Sequence, residues 1–165
     1  IGNGFILPSG PLRQSLNSLN DAEIILINGN KDVEFEKKIL KINKRLNIFY
    51  TEYTPNNIED FKKKGLFAVA GIGNPNNFFD LLEKYGLNIK KRIVYPDHYN
   101  FSEFEIFKLI YESDKKDYQI ITTEKDYMRI KKFNLEKIKF LNISLNMKYK
   151  NEFLKKVISL YDKKS

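Results

Sequence analysis

His98 is the only histidine of the chain, and it stands in Pro96-Asp97-His98-Tyr99, directly after an apolar stretch. An imidazole titrates near neutrality, so this ring can take a proton from a hydroxyl at physiological pH. Asp97 beside it could orient the ring or help to hold a cation. Further on, Thr123-Glu124-Lys125-Asp126 sets a hydroxyl, two acids and an amine behind another apolar run. Lys125 can neutralise a phosphate, while Asp126 or Glu124 can pair with it or reach a magnesium ion through water. Gly71-Ile72-Gly73-Asn74-Pro75 delivers a helix start, whose free amides can meet an anion. The segment from Asn3-Gly4 to Gly10-Pro11-Leu12-Arg13 has too much glycine and proline for a helix or a central strand. Arg13 in it is one of four arginines and could clamp a phosphate.

Each segment also has a plainer reading. His98 can be a solvated residue of a polar turn after Pro96. Thr123 caps a helix whose first turn welcomes acids because of the macrodipole. The glycines at 71 and 73 can simply make a tight strand-to-helix turn. They do not complete a dinucleotide loop, because Asn76 stands where the third glycine belongs. No Gly-x-x-x-x-Gly-Lys-Ser/Thr phosphate loop occurs in the sequence. With no cysteine there is no disulfide and no thiolate metal site, and no metal ligand set is assigned.

The elements that must position these residues alternate. Ala22–Ile27 and Leu66–Ala70 are solidly apolar, as strands covered on both faces are. Ile48–Thr54, Ile89–Tyr95, Tyr118–Thr122 and Ile138–Leu145 complete the expected strands. Phe35, Ile39, Ile42 and Leu46 recur at helical spacing. Asn74 and Pro75 start a helix that Gly86 stops. Ser102 to Glu105 has the spacing of a capping box, and Leu154, Val157, Ile158 and Tyr161 line a closing helix. The order predicts an α/β fold, a mostly parallel sheet covered by helices in three layers, α/β/α. In such sheets functional loops gather at the carboxyl ends of strands, and residues 71–75, 96–99 and 123–126 all fall there. One boundary is expected near Asn20, between an irregular segment 1–20 and an α/β domain 21–165.

A chain of 165 residues with 42% hydrophobic residues can bury a real core, and no run approaches the roughly 20 apolar residues of a membrane-spanning helix. The net charge of +8 comes almost wholly from lysine. It accompanies heavy use of asparagine and isoleucine, as codon bias in an AT-rich genome produces. Two readings stay open on charge alone: weak attraction to an anionic surface, and a basic non-catalytic α/β domain that engages nucleic acid.

The four motifs, in this order and spacing, resemble the carboxy-terminal portion of the tetraacyldisaccharide 4'-kinase (lipid A 4'-kinase) family. The resemblance rests on Gly-Asn-Gly with Leu-Pro-x-Gly-Pro-Leu-Arg, on Gly-Ile-Gly-Asn-Pro followed by Phe78-Phe79, on Pro-Asp-His, and on Thr-Glu-Lys-Asp with Arg129. It implies the second, lid-like domain of a phosphate-loop-type kinase, with residues 1–20 ending an amino-terminal kinase domain absent from this chain. It implies transfer of the ATP γ-phosphate, with Mg2+, to the 4'-hydroxyl of tetraacyldisaccharide 1-phosphate, giving lipid IVA. It also implies a peripheral place on the cytoplasmic face of the bacterial inner membrane, a lipid A precursor as partner and no nucleic acid. His98 would be the catalytic residue, paired with an aspartate of the absent domain. Asp97, Thr123, Glu124, Lys125 and Asp126 would support it, and Asn3, Gly4, Arg13, Gly71, Gly73 and Asn74 would contact substrate or phosphate. ATP and magnesium would be held mainly by the absent domain, so the chain alone is expected to be inactive. Gln14 departs from the family, which usually has glutamate there, and a neutral amide cannot give a metal the charge of a carboxylate.

Overall fold

The computed structural model describes residues 12–133 and 136–163. Strands and helices alternate: β1 (Ile24–Asn28), α1 (Val33–Ile42), β2 (Asn47–Pro55), β3 (Gly65–Ala70), α2 (Pro75–Lys84), β4 (Ile89–Val94), α3 (Glu103–Asp114), β5 (Tyr118–Thr123), α4 (Glu124–Ile130), β6 (Ile138–Leu141), β7 (Ile143–Met147) and α5 (Lys150–Asp162). The fold is α/β with mostly parallel pairing. The chain divides into two compact units: residues up to Thr54 together with Leu145 onward, and Pro55–Ser144. The boundary expected near Asn20 falls inside the first of them.

The first unit holds a sheet of order β1-β2-β7, with β1 and β2 parallel. Asp32 caps α1 by accepting from Phe35 N, and the helix ends four residues before Leu46. Asn43 ends it, because its side-chain amide donates to the carbonyls of Leu19 and Ala22, both at 2.9 Å. Phe153 of α5 meets Phe49 of β2 edge to face, ring centroids 5.4 Å apart. Within the segment expected to be irregular, Leu16–Asp21 forms a short 3-10 turn capped by Ser15.

The second unit carries the chemistry-bearing loops. Its sheet has the order β4-β3-β5-β6, and every neighbouring pair is parallel. Side chains alternate across β3. Leu66, Ala68 and Ala70 join Phe78, Phe79 and Leu82 of α2 on one face. Phe67 and Val69 join Ile106 and Leu109 of α3 and Ile130 of α4 on the other. Covering both faces explains why β3 reads as an unbroken apolar run. Leu66, Phe67, Phe79 and Leu82 are essentially inaccessible to water, each worth about 1.5–3 kcal/mol of burial. Because the four strands run the same way, their carboxyl ends share one edge of the sheet, where the loops after β3, β4 and β5 meet.

Two local expectations need correction. The single strand expected over Ile138–Leu145 is two strands, β6 and β7, in different sheets. Asn142 separates them: its N–H donates to Asn57 Oδ1 at 2.9 Å and its carbonyl accepts from Asn56 N at 2.8 Å. Asn74 occupies the cap position of α2 but makes no capping bond, so Pro75 at the helix start supplies the local signal. The capping box of α3 is present as expected: Ser102 accepts from Glu105 N, and Glu105 accepts from Ser102 N.

Candidate functional site

Asp126 is the anchor of the site. It lies in the first turn of α4, has no solvent exposure, and its carboxylate is filled by two neutral donors and a cation. Oδ2 accepts from Gly71 N at 2.8 Å and from the Thr123 hydroxyl at 2.8 Å. Oδ1 accepts from Arg129 Nη1 at 2.9 Å. Thr123 also caps α4 by accepting from Asp126 N at 3.1 Å. A buried carboxylate survives only when paired and hydrogen-bonded in this way.

The same contacts use up Gly71. Its N–H serves Asp126 and its carbonyl accepts from Arg129 Nη1 at 3.0 Å. The expectation that this amide is free to meet an anion is therefore corrected: a buried carboxylate already occupies it. A Cβ at Gly71 would stand 3.2 Å from Asp126 Oδ1 and 3.4 Å from the Pro96 carbonyl, so any larger residue presses on both.

His98 sits in the turn after β4, closed by Tyr99 N donating to the Pro96 carbonyl at 3.2 Å. Its φ is +61°, a left-handed conformation uncommon outside glycine, and Asp97 Oδ1 holds it by accepting from His98 N at 2.9 Å. Around the ring, Arg129 Nη2 lies 3.2 Å from Nδ1, Lys125 Nζ 3.4 Å from Nε2, and Asp97 Oδ2 3.8 Å from Nε2. Arginine and lysine only donate, and a neutral imidazole accepts at one nitrogen. A donor therefore faces each ring nitrogen, Arg129 at Nδ1 and Lys125 at Nε2, and only one of them can be accepted at a time. To accept a proton at Nε2 the ring must leave Arg129. Its side chain is 74% exposed and has room to do so.

Lys125 Nζ pairs with Asp97 Oδ1 at 3.2 Å. Partial desolvation pushes the Asp97 carboxyl up. The hydrogen bond from Lys125, the charges of His98 and Lys125 and the His98 amide outweigh it, leaving Asp97 below the usual carboxylate range. Lys125, Arg129, Asp97 and His98 thus form a half-exposed polar cluster on an Asp126 foundation. Two cations and one movable carboxylate suit a phosphate, which can take over the Lys125 contact that Asp97 holds.

The sequence-derived candidates divide cleanly. His98, Asp97, Lys125, Asp126, Thr123 and Gly71 are brought together. Gly73 borders them, since a Cβ added there would lie 3.2 Å from Asp97 Oδ2. Glu124 is exposed in the first turn of α4 and Asn74 is exposed before α2; neither joins the cluster. Arg13 is exposed in the first unit, and Asn3 and Gly4 lie outside the described residues. Arg129 was not among the expected site residues, although its spacing of three from Asp126 on one helix face is the signal that finds it.

Among the described residues no group of three or more histidine or acidic side chains could hold a metal ion. Asp126 is filled by Gly71, Thr123 and Arg129, so it does not fit as a magnesium ligand.

The family model for tetraacyldisaccharide-1-phosphate 4'-kinase (LpxK) matches residues 1–161. The chain belongs to that family. It is 37% identical over 166 residues to the tetraacyldisaccharide 4'-kinase of Pelagibacter ubique, covering 99% of this chain and 53% of the relative. The Rickettsia rickettsii enzyme is 35% identical over 150 residues, covering 90% of this chain and 45% of the relative. The chain therefore spans about half the length of the curated relatives it matches. Among solved structures, LpxK from Aquifex aeolicus in complex with ATP shares the fold, with a TM-score of 0.62 at 20% identity over 93% of this chain and 47% of that one. The alternative of a nucleic-acid-binding domain finds no support in these likenesses.

Proposed function

We propose that this chain is the carboxy-terminal part of an ATP-dependent lipid A 4'-kinase, moving the γ-phosphate onto the 4'-hydroxyl of tetraacyldisaccharide 1-phosphate to give lipid IVA. The observation that carries the reading is the turn at His98. It holds an imidazole in a strained backbone conformation between Asp97, Lys125 and Arg129, at the carboxyl edge of a parallel sheet. Phosphoryl transfer is catalysed mainly by positioning and by neutralising charge around the phosphates. Lys125 and Arg129 supply charge. His98, released from Arg129, takes the proton of the attacking hydroxyl, with an aspartate of the amino-terminal domain as its partner.

ATP and Mg2+ would be held chiefly by that domain, which would contain the phosphate loop this sequence lacks. The enzyme would work peripherally at the cytoplasmic face of the bacterial inner membrane. No helix among the described residues is long and apolar enough to cross a membrane.

The deciding experiment joins this chain to an amino-terminal kinase domain and measures 4'-phosphorylation of the disaccharide. His98→Ala should lower kcat by about 10²–10⁴-fold while KM changes little. Activity within a factor of two of the parent would remove His98 from the chemistry. The 165-residue chain by itself should show no turnover above a no-enzyme control.

A further inference from the structure

β1 has the sequence of an interior strand and the surroundings of an edge. Ile24-Ile25-Leu26-Ile27 is an unbroken apolar run, as β3 is, and such runs belong to parallel strands covered on both faces. β3 fulfils that pattern, with residues 66–70 all buried. No residue of β1 is buried, and Leu26 is 48% exposed. Among the described residues β1 pairs with β2 alone and ends its sheet. Asn47 N donates to the Glu23 carbonyl at 3.0 Å and Gly29 N to the Thr51 carbonyl at 2.8 Å, so the odd-numbered residues of β1 face β2. By alternation the N–H and C=O groups of Ile24, Leu26 and Asn28 point to the open edge. That edge carries none of the usual guards, for no lysine, proline or bulge interrupts it.

The rest of the first unit is short of cover in the same way. Of its described residues only Ile39, Leu46 and Thr51 are buried. Phe153 of α5 rests on Phe49, but Leu154, Val157, Ile158 and Tyr161 are left 40–73% exposed. These four recur at helical spacing as one apolar stripe. Three buried residues make no core, so this unit is part of a larger domain.

The pattern also identifies what completes it. A second copy meeting this edge across a two-fold axis would pair β1 with β1 antiparallel. The continuous apolar run is instead the mark of a strand between parallel neighbours. A parallel neighbour arrives through a crossover from elsewhere in the same chain. The described residues have no strand left to supply it. The relatives, of which this chain spans about half, carry as much sequence again.

We propose that β1 is an interior strand of the amino-terminal kinase domain, and that a parallel strand from the half carried by the relatives pairs with Ile24, Leu26 and Asn28. The inference rests on the kinase reading for the identity of that half. It moves the domain boundary from near Asn20 to Thr54. Residues 22–54 and 145–163 then belong to the amino-terminal domain, and Pro55–Ser144 alone is the lid-like unit.

The test compares amide exchange, residue by residue, in two proteins. One is the 165-residue chain, and the other is the same chain joined behind the amino-terminal half of the Pelagibacter ubique relative. Alone, the amides of Ile24, Leu26 and Asn28 should exchange within about tenfold of unfolded-chain rates; joined, they should slow by about a hundredfold or more. Residues 66–70 should stay protected in both, since the second unit has its own core. Leu26→Lys guards the edge without touching the bonds to β2. In the joined protein it should return β1 to fast exchange and leave residues 66–70 as they were. Leu26→Pro, which removes only an edge-facing N–H, should do the same.

Protection of the three edge amides in the monomeric chain alone would overturn the proposal, and so would no slowing on joining while residues 66–70 stay protected. Protection that appears in the chain alone as it dimerises would overturn it too, because β1 would then pair with a second copy. None of these readouts needs turnover. His98→Ala in the joined protein should leave every exchange rate unchanged, so failure here and failure of the kinase reading are told apart.

Discussion

Nη2 of Arg129 lies 3.2 Å from Nδ1 of His98, a donor set against the ring nitrogen that must accept from it. Accepted at Nδ1, this contact favours the tautomer with the hydrogen on Nε2, in competition with Lys125 Nζ, 3.4 Å from Nε2. Because the chain has one histidine, long-range nitrogen–proton correlation spectra of the ring carry a single, unambiguous pattern. In the parent at pH above the imidazole titration, Nδ1 should resonate as the unprotonated nitrogen. Arg129→Met should let the two tautomers mix. A parent spectrum with the hydrogen on Nδ1 would dismiss Arg129 as the positioning residue.

Asp126 should matter for stability far more than its neighbour in the cluster. Asp126→Ala leaves the partly buried Arg129 without its carboxylate and strips an acceptor from Gly71 N and from the Thr123 hydroxyl. Removing one partner of such a network costs about 3 kcal/mol. Urea denaturation should report that loss in the transition of the second unit. Asp97→Ala removes a surface ion pair and the exposed hydrogen bond to His98 N, so its midpoint should move far less. Equal losses in the two variants would mean that the Asp126 network does not hold the loops together.

The two glycines near the site should respond differently to alanine. At Gly71 the new methyl would meet the Pro96 backbone and a carboxylate locked from three sides. Neither can retreat, so Gly71→Ala should cost about 1–2 kcal/mol. At Gly73 the methyl meets only the exposed Asp97 carboxylate, which can swing away at the expense of its Lys125 contact. Thermal unfolding should therefore separate the two variants, with Gly73→Ala close to the parent. The reverse order would refute the packing argument.

What the sequence made legible was local or periodic. The α3 capping box, the Thr123 cap and the unbroken apolar run of β3 depend on residues within a few positions, and they were readable for that reason. The gathering of three loops at one sheet edge followed from strand–helix alternation alone. What stayed hidden was long-range. Asn142 breaks a strand because of a side chain 85 residues away, and Gly71 loses its amide to a carboxylate 55 residues away. The positive φ of His98 was equally invisible, since it depends on Asp97 folding back onto the next amide. Arg129 is an intermediate case: its helical spacing to Asp126 is local and readable, but its reach to Gly71 and His98 is not.

Asp97 offers a test of the cluster by pH. Its carboxyl is held below its ordinary value of 3.8: desolvation pushes it up, but the Lys125 hydrogen bond and the nearby positive charges win. A carboxyl depressed by folding binds its proton more weakly in the native state than in the unfolded one. Its contribution is therefore full above about pH 4 and is lost as pH falls through the lower native value. Carboxyl carbon resonances followed through an acid titration should show Asp97 staying ionised after ordinary exposed acids have protonated. Lys125→Met should move its midpoint back up towards 3.8. Gly73→Ala should move it the same way, by prising the carboxylate from Lys125. A midpoint unchanged by Lys125→Met would mean that the pair is not formed in solution, and that Lys125 is already free to meet a phosphate.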